Sequence, residues 1–583
     1  MRKRTFWLLY LMIIFLAVVI RFWQLGKIPF GTYWDEIAIL ADAKKVALTG
    51  TDLHGQSPWH LIYPSYGDYK LAPYIWFATL SVRLFGATPF ALRLPSALAG
   101  IGTVIIAGYL AYFLALHLAT PIKKKKALAQ SWQLSTMFIT AVTPWSILFS
   151  RTAFEGHLGQ MFLGLAALLL ILSWHLHGRQ QGLNIRSGKF WQSIALLFAS
   201  GFIGGLAFWT YFSVRFVWPV VFILISLFFL LEEKPRLTQF FFSASIIGSI
   251  FLVMFVLMTR DPLYAVSNQL RLSTPSLLND EQLPHQVNQM RLLSGNNFFA
   301  RLLFSQKLVQ LSRLLTQVSQ HLDFSYLFLT GDANLRHSTG FNGLFLLCCA
   351  PFLLIGLIGL FRRDWRAFCL FCGWWLIGLV PASVPTLSVP HALRSLNSLL
   401  PAILIIGFGF SLWMQYIFNA KNKYFYHISY IKYLLTITLL LFALSLGRFC
   451  WYYFNIYPTL SANDWQAAAT THVALINKYR QQYDHVYVTD LDRLLFLWYL
   501  CDNNFDIHRL DTEYQAENYR FEQLDNIDFI AHAAGTSDGQ HNLIIGTADE
   551  ALKFVQDANL QNPQILEDFT LYDKHYLVVG ADS

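Results

Sequence analysis

The sequence predicts a mainly α-helical, polytopic membrane protein that ends in a small α/β domain. Three observations lead there. Of the 583 residues, 55% are hydrophobic and 16% aromatic but only 13% are charged, against about a quarter charged in soluble domains. The apolar residues gather in runs of roughly 17–25, the length that crosses a bilayer as a helix. From about residue 453 onward, short β-type runs alternate with helical patterns instead. The net charge of +9 comes from Lys and Arg clustered in short loops between the apolar runs. That distribution marks cytoplasmic loops and speaks against nucleic acid as a partner.

Taken in order, Met1-Arg-Lys-Arg4 precedes an apolar run over 5–23. Arg21-Phe-Trp-Gln24 follows where a cleavable signal would place small residues, so the run is read as a retained span with a cytoplasmic N-terminus. Residues 24–90 form a semi-polar external loop, with a short helix expected near 36–48. The apolar stretch from Pro73 to Phe85 is short for a span and is expected at the membrane interface, which keeps Lys123–Lys126 cytoplasmic. Further spans are expected at 92–118, 131–149, 158–175, 193–211, 214–231, 239–259, 341–361, 366–382, 393–417 and 432–452. The total of about eleven leaves the C-terminus outside and the basic clusters at 175–189, Lys234 with Arg236, Arg362 to Arg366 and 421–432 inside. Residues 260–340 form a second large external loop.

The domain from 453 to 583 is expected to hold a helix from Asp464, as N-cap, to Tyr483. Strands are expected at 485–489, 527–530, 542–545 and 576–579, and helices at 493–500 and 548–557. It has no glycine fingerprint, nucleophile elbow or metal-spaced cluster, so a lid or acceptor-docking module is expected. Cys369-x-x-Cys372 sits among Phe, Leu and Trp with no second ligand pair, which argues against a metal or redox motif. The lack of a P-loop argues against an ATP-driven pump.

The polar residues that stand out lie beside the spans, on the external side. Asp35 and Glu36 follow Tyr33-Trp34 just past the first span. Arg151, Glu155 and His157 share one turn, Arg215 marks another, Arg336 and His337 close the large loop, and His391 and Arg394 lie in a short one. Ions at membrane depth are costly, and such residues are functional candidates by default. For any one of them alone, a snorkelling cation or a structural pair is the simpler reading. A set of cations on one rim suits an anionic ligand, phosphate first.

Asp35-Glu36, Lys70 to Pro73, Leu84-Phe-Gly86, Arg93-Leu-Pro-Ser-Ala-Leu-Ala-Gly100 and Ser150-Arg151 together resemble the GT-C membrane glycosyltransferases, over roughly residues 1–450. The likeness is to the branch of phospholipid-carrier-dependent enzymes that holds the protein O-mannosyltransferases and aminoarabinose transferases. The sequence lacks a MIR-type domain in its large external loop, and has Lys70-Leu-Ala-Pro where the aminoarabinose transferases carry a Lys-Pro element. The resemblance implies transfer of a sugar, with inversion, from a polyprenyl-phosphate donor to an acceptor hydroxyl on a protein, lipid or glycan at the outer membrane face. It implies Asp35 as the base, with Glu36 orienting the acceptor or partnering a cation. It implies Lys70 on the carrier phosphate, with Arg151, Arg215, Arg336 and Arg394 as candidates to assist and Glu155, His337 and His391 as further ones. A divalent cation on Asp35, Glu36 and Glu155 is compatible with this pattern, though nothing in the spacing requires one. The alternative is a transporter or lipid flippase, which the one-sided charge distribution and the absence of a repeat disfavour.

Overall fold

The computed structural model describes residues 3–119, 122–177, 187–231, 237–420, 428–489, 491, 494–511, 522–529 and 541–583. Lys234, Arg236, Arg493 and much of the expected basic loops at 175–189 and 421–432 lie outside the described residues. The chain divides into two compact units. One comprises Met1–Trp23, Ser96–Ser150 and Glu155–Trp451, and the other Gln24–Pro95, Arg151–Phe154 and Tyr452–Ser583.

Among the described residues, eight helices are long and apolar enough to cross a membrane: Lys3–Phe22, Pro89–His117, Glu155–Leu176, Gly188–Thr210, Leu237–Thr259, Trp365–Ser383, Leu396–Ile417 and Tyr433–Leu460. The three other expected spans fall on shorter or more polar helices. Ile122–Val142 starts with four lysines and gives way at Pro144 to a six-residue helix, Pro144–Phe149, while Val214–Leu230 and Ala350–Arg363 have only 17 and 14 residues.

Within the membrane-helix unit, small residues set the helix spacing. A Cβ on Gly409 would lie 1.9 Å from the Phe352 carbonyl oxygen, and one on Gly356 2.1 Å from that of Ile405. The Ala350–Arg363 and Leu399–Ala420 helices therefore touch backbone to backbone, as small residues allow where lipid supplies no hydrophobic drive. Arg21, fully buried in the last turn of the first helix, donates to Ser146 Oγ at 2.9 Å, Ser150 Oγ at 3.2 Å and the Thr140 and Ala141 carbonyls at 3.2 Å. Those carbonyls end the Ile122–Val142 helix, where the helix dipole favours a cation.

The 260–340 segment, expected as an open loop, carries five helices: Tyr264–Ser273, Leu283–Leu293, Phe298–Leu303, Gln306–His321 and Phe324–Phe328. Asn297, Ser305 and Asp323 cap the last three by accepting from backbone N–H groups of the first turn. These caps were the legible signal.

The second unit is built around the helix Trp34–Thr49, buried continuously from Glu36 to Val46. Lys44 reaches the Leu500 and Asp502 carbonyls at 2.8 Å each, at the C-terminal end of the Leu495–Cys501 helix. A hairpin of Ile62–Ser65 and Asp68–Leu71 turns through Tyr66 (φ 48°) and Gly67 (φ 92°), the positive-φ pair that suits a two-residue turn. It runs directly into the helix Ala72–Phe85, the short apolar stretch.

The C-terminal part is a six-stranded sheet in the order Gln523–Leu524, Ile527–Asp528, His485–Thr489, His541–Thr547, Lys574–Asp582, Gln561–Leu571. His485–Thr489 pairs in parallel on both sides, and the last three strands pair antiparallel. The helix Ala548–Asp557 covers one face through Ala551, Phe554 and Val555. Two expectations need correction here. Asp464 lies in the turn before its helix, which begins at Ala468 with Ala467 at the N-cap. The edge strand Gln561–Leu571 was missed because it is mostly exposed and polar and contains Pro563, tolerated where the register shifts beside Gln564.

Candidate active site

The acidic pair opens the Trp34–Thr49 helix, after Tyr33 in extended conformation with its ring stacked on Trp34 at 5.7 Å. Acids in a first turn face the positive end of the helix dipole. Neighbours on a helix point about 100° apart, and here that rotation gives the two carboxylates different surroundings. Glu36 turns inward and is fully buried. Arg93 grips it in a fork, Nη2 to Oε2 at 2.7 Å and Nε to Oε1 at 3.1 Å, and the Ala153 N–H donates to Oε1 at 2.7 Å. The other Arg93 donors reach the carbonyls of Leu25 at 3.4 Å, Pro29 at 3.1 Å and Gly31 at 2.6 Å. Gly31 has φ 72°, and a Cβ there would meet the Trp465 carbonyl at 2.5 Å, so only glycine brings this backbone in.

Asp35 turns outward and its side chain is about a third exposed. Lys70, buried on the second hairpin strand opposite Tyr63, donates its ammonium to Asp35 Oδ1 and, at 3.3 Å, to Asp68 Oδ2. The hairpin thus carries a cation to a carboxylate 35 residues earlier in the chain. In the same unit Arg151 is fully buried; Nε donates to the Tyr453 hydroxyl at 3.3 Å and Nη2 to the Ile28 carbonyl at 3.2 Å, with the guanidinium over the rings of Tyr453 and Phe454.

The remaining residues belong to the membrane-helix unit. Arg215 starts the Val214–Leu230 helix and lies 4.1 Å from the Phe212 ring centroid, with Arg271 at 4.7 Å from the same ring. Arg271 repels both Arg215 and Arg394, so three cations share one neighbourhood. Arg336 folds back onto Asn334 Oδ1, with its backbone N–H at 3.0 Å and Nε at 3.2 Å. Glu155 is half-buried in the first turn of its helix. His337 and His391 stack at 4.5 Å beside Asp332, all three buried. Burial, with the nearby charges of His337 and Arg394, holds His391 well below the usual imidazole value. Burial alone would raise Asp332; its hydrogen bond from His337 and those from the Ala392 and Asn334 N–H groups outweigh that and hold it below the usual carboxylate value.

A divalent ion on Asp35, Glu36 and Glu155 does not fit these residues. Glu36 already accepts three hydrogen bonds, two from a guanidinium, and Asp35 holds Lys70. Sequence reasoning passed over Arg93, Arg21, Arg271 and Asp332 as site residues. Arg93 and Arg21 carried the signal that singled out Arg151, an ion at the end of an apolar run.

No protein-family model matches the sequence, and no curated protein does. Solved structures do match the fold. The Archaeoglobus fulgidus oligosaccharyltransferase AglB, in complex with an inhibitory peptide and a dolichol-phosphate, superposes with a TM-score of 0.51 at 11% identity, covering 86% of this chain and 64% of that one. The same enzyme tethered to an acceptor peptide gives 0.51 at 10% identity, over 86% and 63%. ArnT from Cupriavidus metallidurans, bound to undecaprenyl phosphate, gives 0.47 at 12% identity, over 98% and 97%. At such identities the likeness defines the fold alone. The chain is an integral membrane protein of the GT-C fold class.

Proposed function

We propose that this chain is a membrane glycosyltransferase that moves a sugar from a polyprenyl-phosphate donor to an acceptor hydroxyl at the outer membrane face, with inversion. Its C-terminal sheet domain lies on that face in this reading. The observation that carries the proposal is the contact between Lys70 and Asp35, a cation suited to phosphate beside a part-exposed carboxylate. The fold shared with an oligosaccharyltransferase whose structure holds dolichol-phosphate supports the donor class.

An acceptor hydroxyl is a weak nucleophile at neutral pH and needs a positioned base. Asp35 takes its proton as the new C–O bond forms, and the carrier phosphate leaves with the electrons of the old one. Negative charge therefore moves from carboxylate to phosphate, and Lys70 is the cation assigned to the carrier phosphate once it leaves Asp35. The phosphate is a good leaving group and needs charge stabilisation more than protonation. Inversion puts nucleophile and leaving group on opposite sides of the anomeric carbon, so the Lys70–Asp35 contact is a resting pair that opens when the donor enters. Glu36, enclosed by Arg93, acts by holding the start of the helix that carries Asp35. Arg151, in the same unit as Lys70, is a candidate for a further carrier-phosphate contact.

The test is turnover of labelled polyprenyl-phosphate sugars by purified protein in lipid, comparing wild type with Asp35→Asn and Lys70→Met. Asp35→Asn should retain donor binding and lose about 10²–10⁴ in rate, and Lys70→Met about 10²–10³. Equal turnover of a working donor by Asp35→Asn and wild type would remove Asp35 as the base. Donor carried across vesicles without bond cleavage would favour the flippase reading instead.

A further inference from the structure

The membrane-helix unit contains a cluster that the proposed reaction does not use. Asp332, His337 and His391 each offer a ligand atom, and these atoms lie within 4.8 Å of one another. All three residues are buried. They come from two segments, 331–340 before the Ala350–Arg363 helix and 388–395 before the Leu399–Ala420 helix.

We propose that Asp332, His337 and His391 form a zinc site that ties these two segments together. The donor set, two imidazoles and one carboxylate, suits zinc, whereas calcium and magnesium ask for oxygen cages. His337 Nδ1 and Asp332 Oδ2 stand 3.3 Å apart. That separation serves a hydrogen bond between the two and equally suits two ligands of one ion. It matches the edge of a tetrahedron with zinc–ligand bonds of about 2.0–2.1 Å, which works out at roughly 3.3 Å. Closing on the ion asks the His391 ligand atom to draw in from a spread of at most 4.8 Å.

The surroundings hold the ligands as metal ligands are held. Asp332 Oδ2 accepts from the Ala392 N–H at 2.8 Å and Oδ1 from the Asn334 N–H at 2.9 Å, which fixes the carboxylate plane. His321 Nε2 accepts the His391 backbone N–H at 3.0 Å, its Nδ1 meets the Gln317 carbonyl at 2.8 Å, and the Arg394 backbone N–H reaches His391 Nδ1 at 3.3 Å, which fixes the segment that carries the imidazole. Such outer contacts orient ligands and tune affinity. The position also gives the ion a task. Asp332, Ala333 and Asn334 form one wall of a cavity of about 600 Å³, and Ser388, Val389 and Pro390 another. A metal bridging 332 to 391 fixes the two walls relative to each other.

The experiment uses full-length protein purified in detergent without a polyhistidine tag, stripped with chelator and titrated with zinc chloride. Bound metal is read by elemental analysis, site geometry by the visible spectrum of the cobalt-loaded protein, and stability by thermal unfolding. Wild type should take up one tight equivalent, show a tetrahedral cobalt spectrum and unfold at higher temperature with zinc. Asp332→Asn and His391→Gln should each lose the tight equivalent, and His321→Ala should weaken it by about 10–100-fold. Failure of stripped wild type to bind one tight equivalent overturns the proposal, whatever the variants do. So does retention of that equivalent in His391→Gln, which would place the ion elsewhere.

Discussion

Asp35 and Glu36 are adjacent acids in opposite surroundings, one part-exposed and one fully buried, and substitution should separate them. Glu36→Gln removes one charge of a fully buried pair and keeps the side-chain shape. Arg93 then keeps its charge with three backbone carbonyls as partners, and of its two N–H groups on Glu36 one faces an amide N–H and the other a neutral oxygen. Breaking a buried pair from one side costs about 3–5 kcal/mol, and the carbonyls place Glu36→Gln near the lower end. Arg93→Met should sit near the upper end, because it strands a buried carboxylate with one remaining donor, the Ala153 N–H. The double variant Glu36→Leu/Arg93→Met should cost less than the sum of the two, since it strands no charge. Asp35→Asn, at a part-exposed pair, should move stability by about 1 kcal/mol or less. Pulse proteolysis across a denaturant series, in one detergent, gives all four values. The reasoning is refuted if Glu36→Gln unfolds at the wild-type midpoint while losing turnover a hundredfold, for Glu36 would then belong to the chemistry.

Two further outcomes follow from buried groups of other kinds. His472 is buried against the Tyr576 ring, and burial, with the charge of Lys574, lowers it from 6.5 to about 4. The unfolded chain therefore binds a proton that the fold refuses: the stabilisation is whole above pH 6.5 and drains away as pH falls towards 4, by about 3 kcal/mol at 1.36 per pH unit. His472→Phe should flatten that slope in unfolding midpoints measured at pH 7, 6 and 5, and parallel slopes for the two proteins would contradict it. In the membrane-helix unit, Gly409→Ala should cost about 1–3 kcal/mol because its methyl meets the Phe352 carbonyl and the Gly356 nitrogen, backbone atoms that cannot rotate aside. Gly248→Ala, in the Leu237–Thr259 helix with open space around it, should be neutral or gain about 0.5–1 kcal/mol in the same unfolding assay.

The class of the molecule and most of its elements are legible along the chain. Span-length apolar runs announce membrane helices because hydropathy is a local property and a helix satisfies its own backbone wherever it lies. The helix after Tyr33 and the strand at 485–489 were legible for the same reason, their patterns being written in consecutive residues. The Gln561–Leu571 strand was not, because an exposed edge has no buried face to impose alternation. The sequence also marked Asp35 and Lys70 as residues worth joining. It took the packed chain to put Lys70 on Asp35 through a hairpin and to close Arg93 around Glu36. It alone gathered Asp332, His337 and His391 from two segments some 55 residues apart. An ion's partner is chosen by whichever opposite charge or backbone group the packing brings within about 3 Å once water is excluded. Nothing in the spacing of residues along the chain encodes that choice.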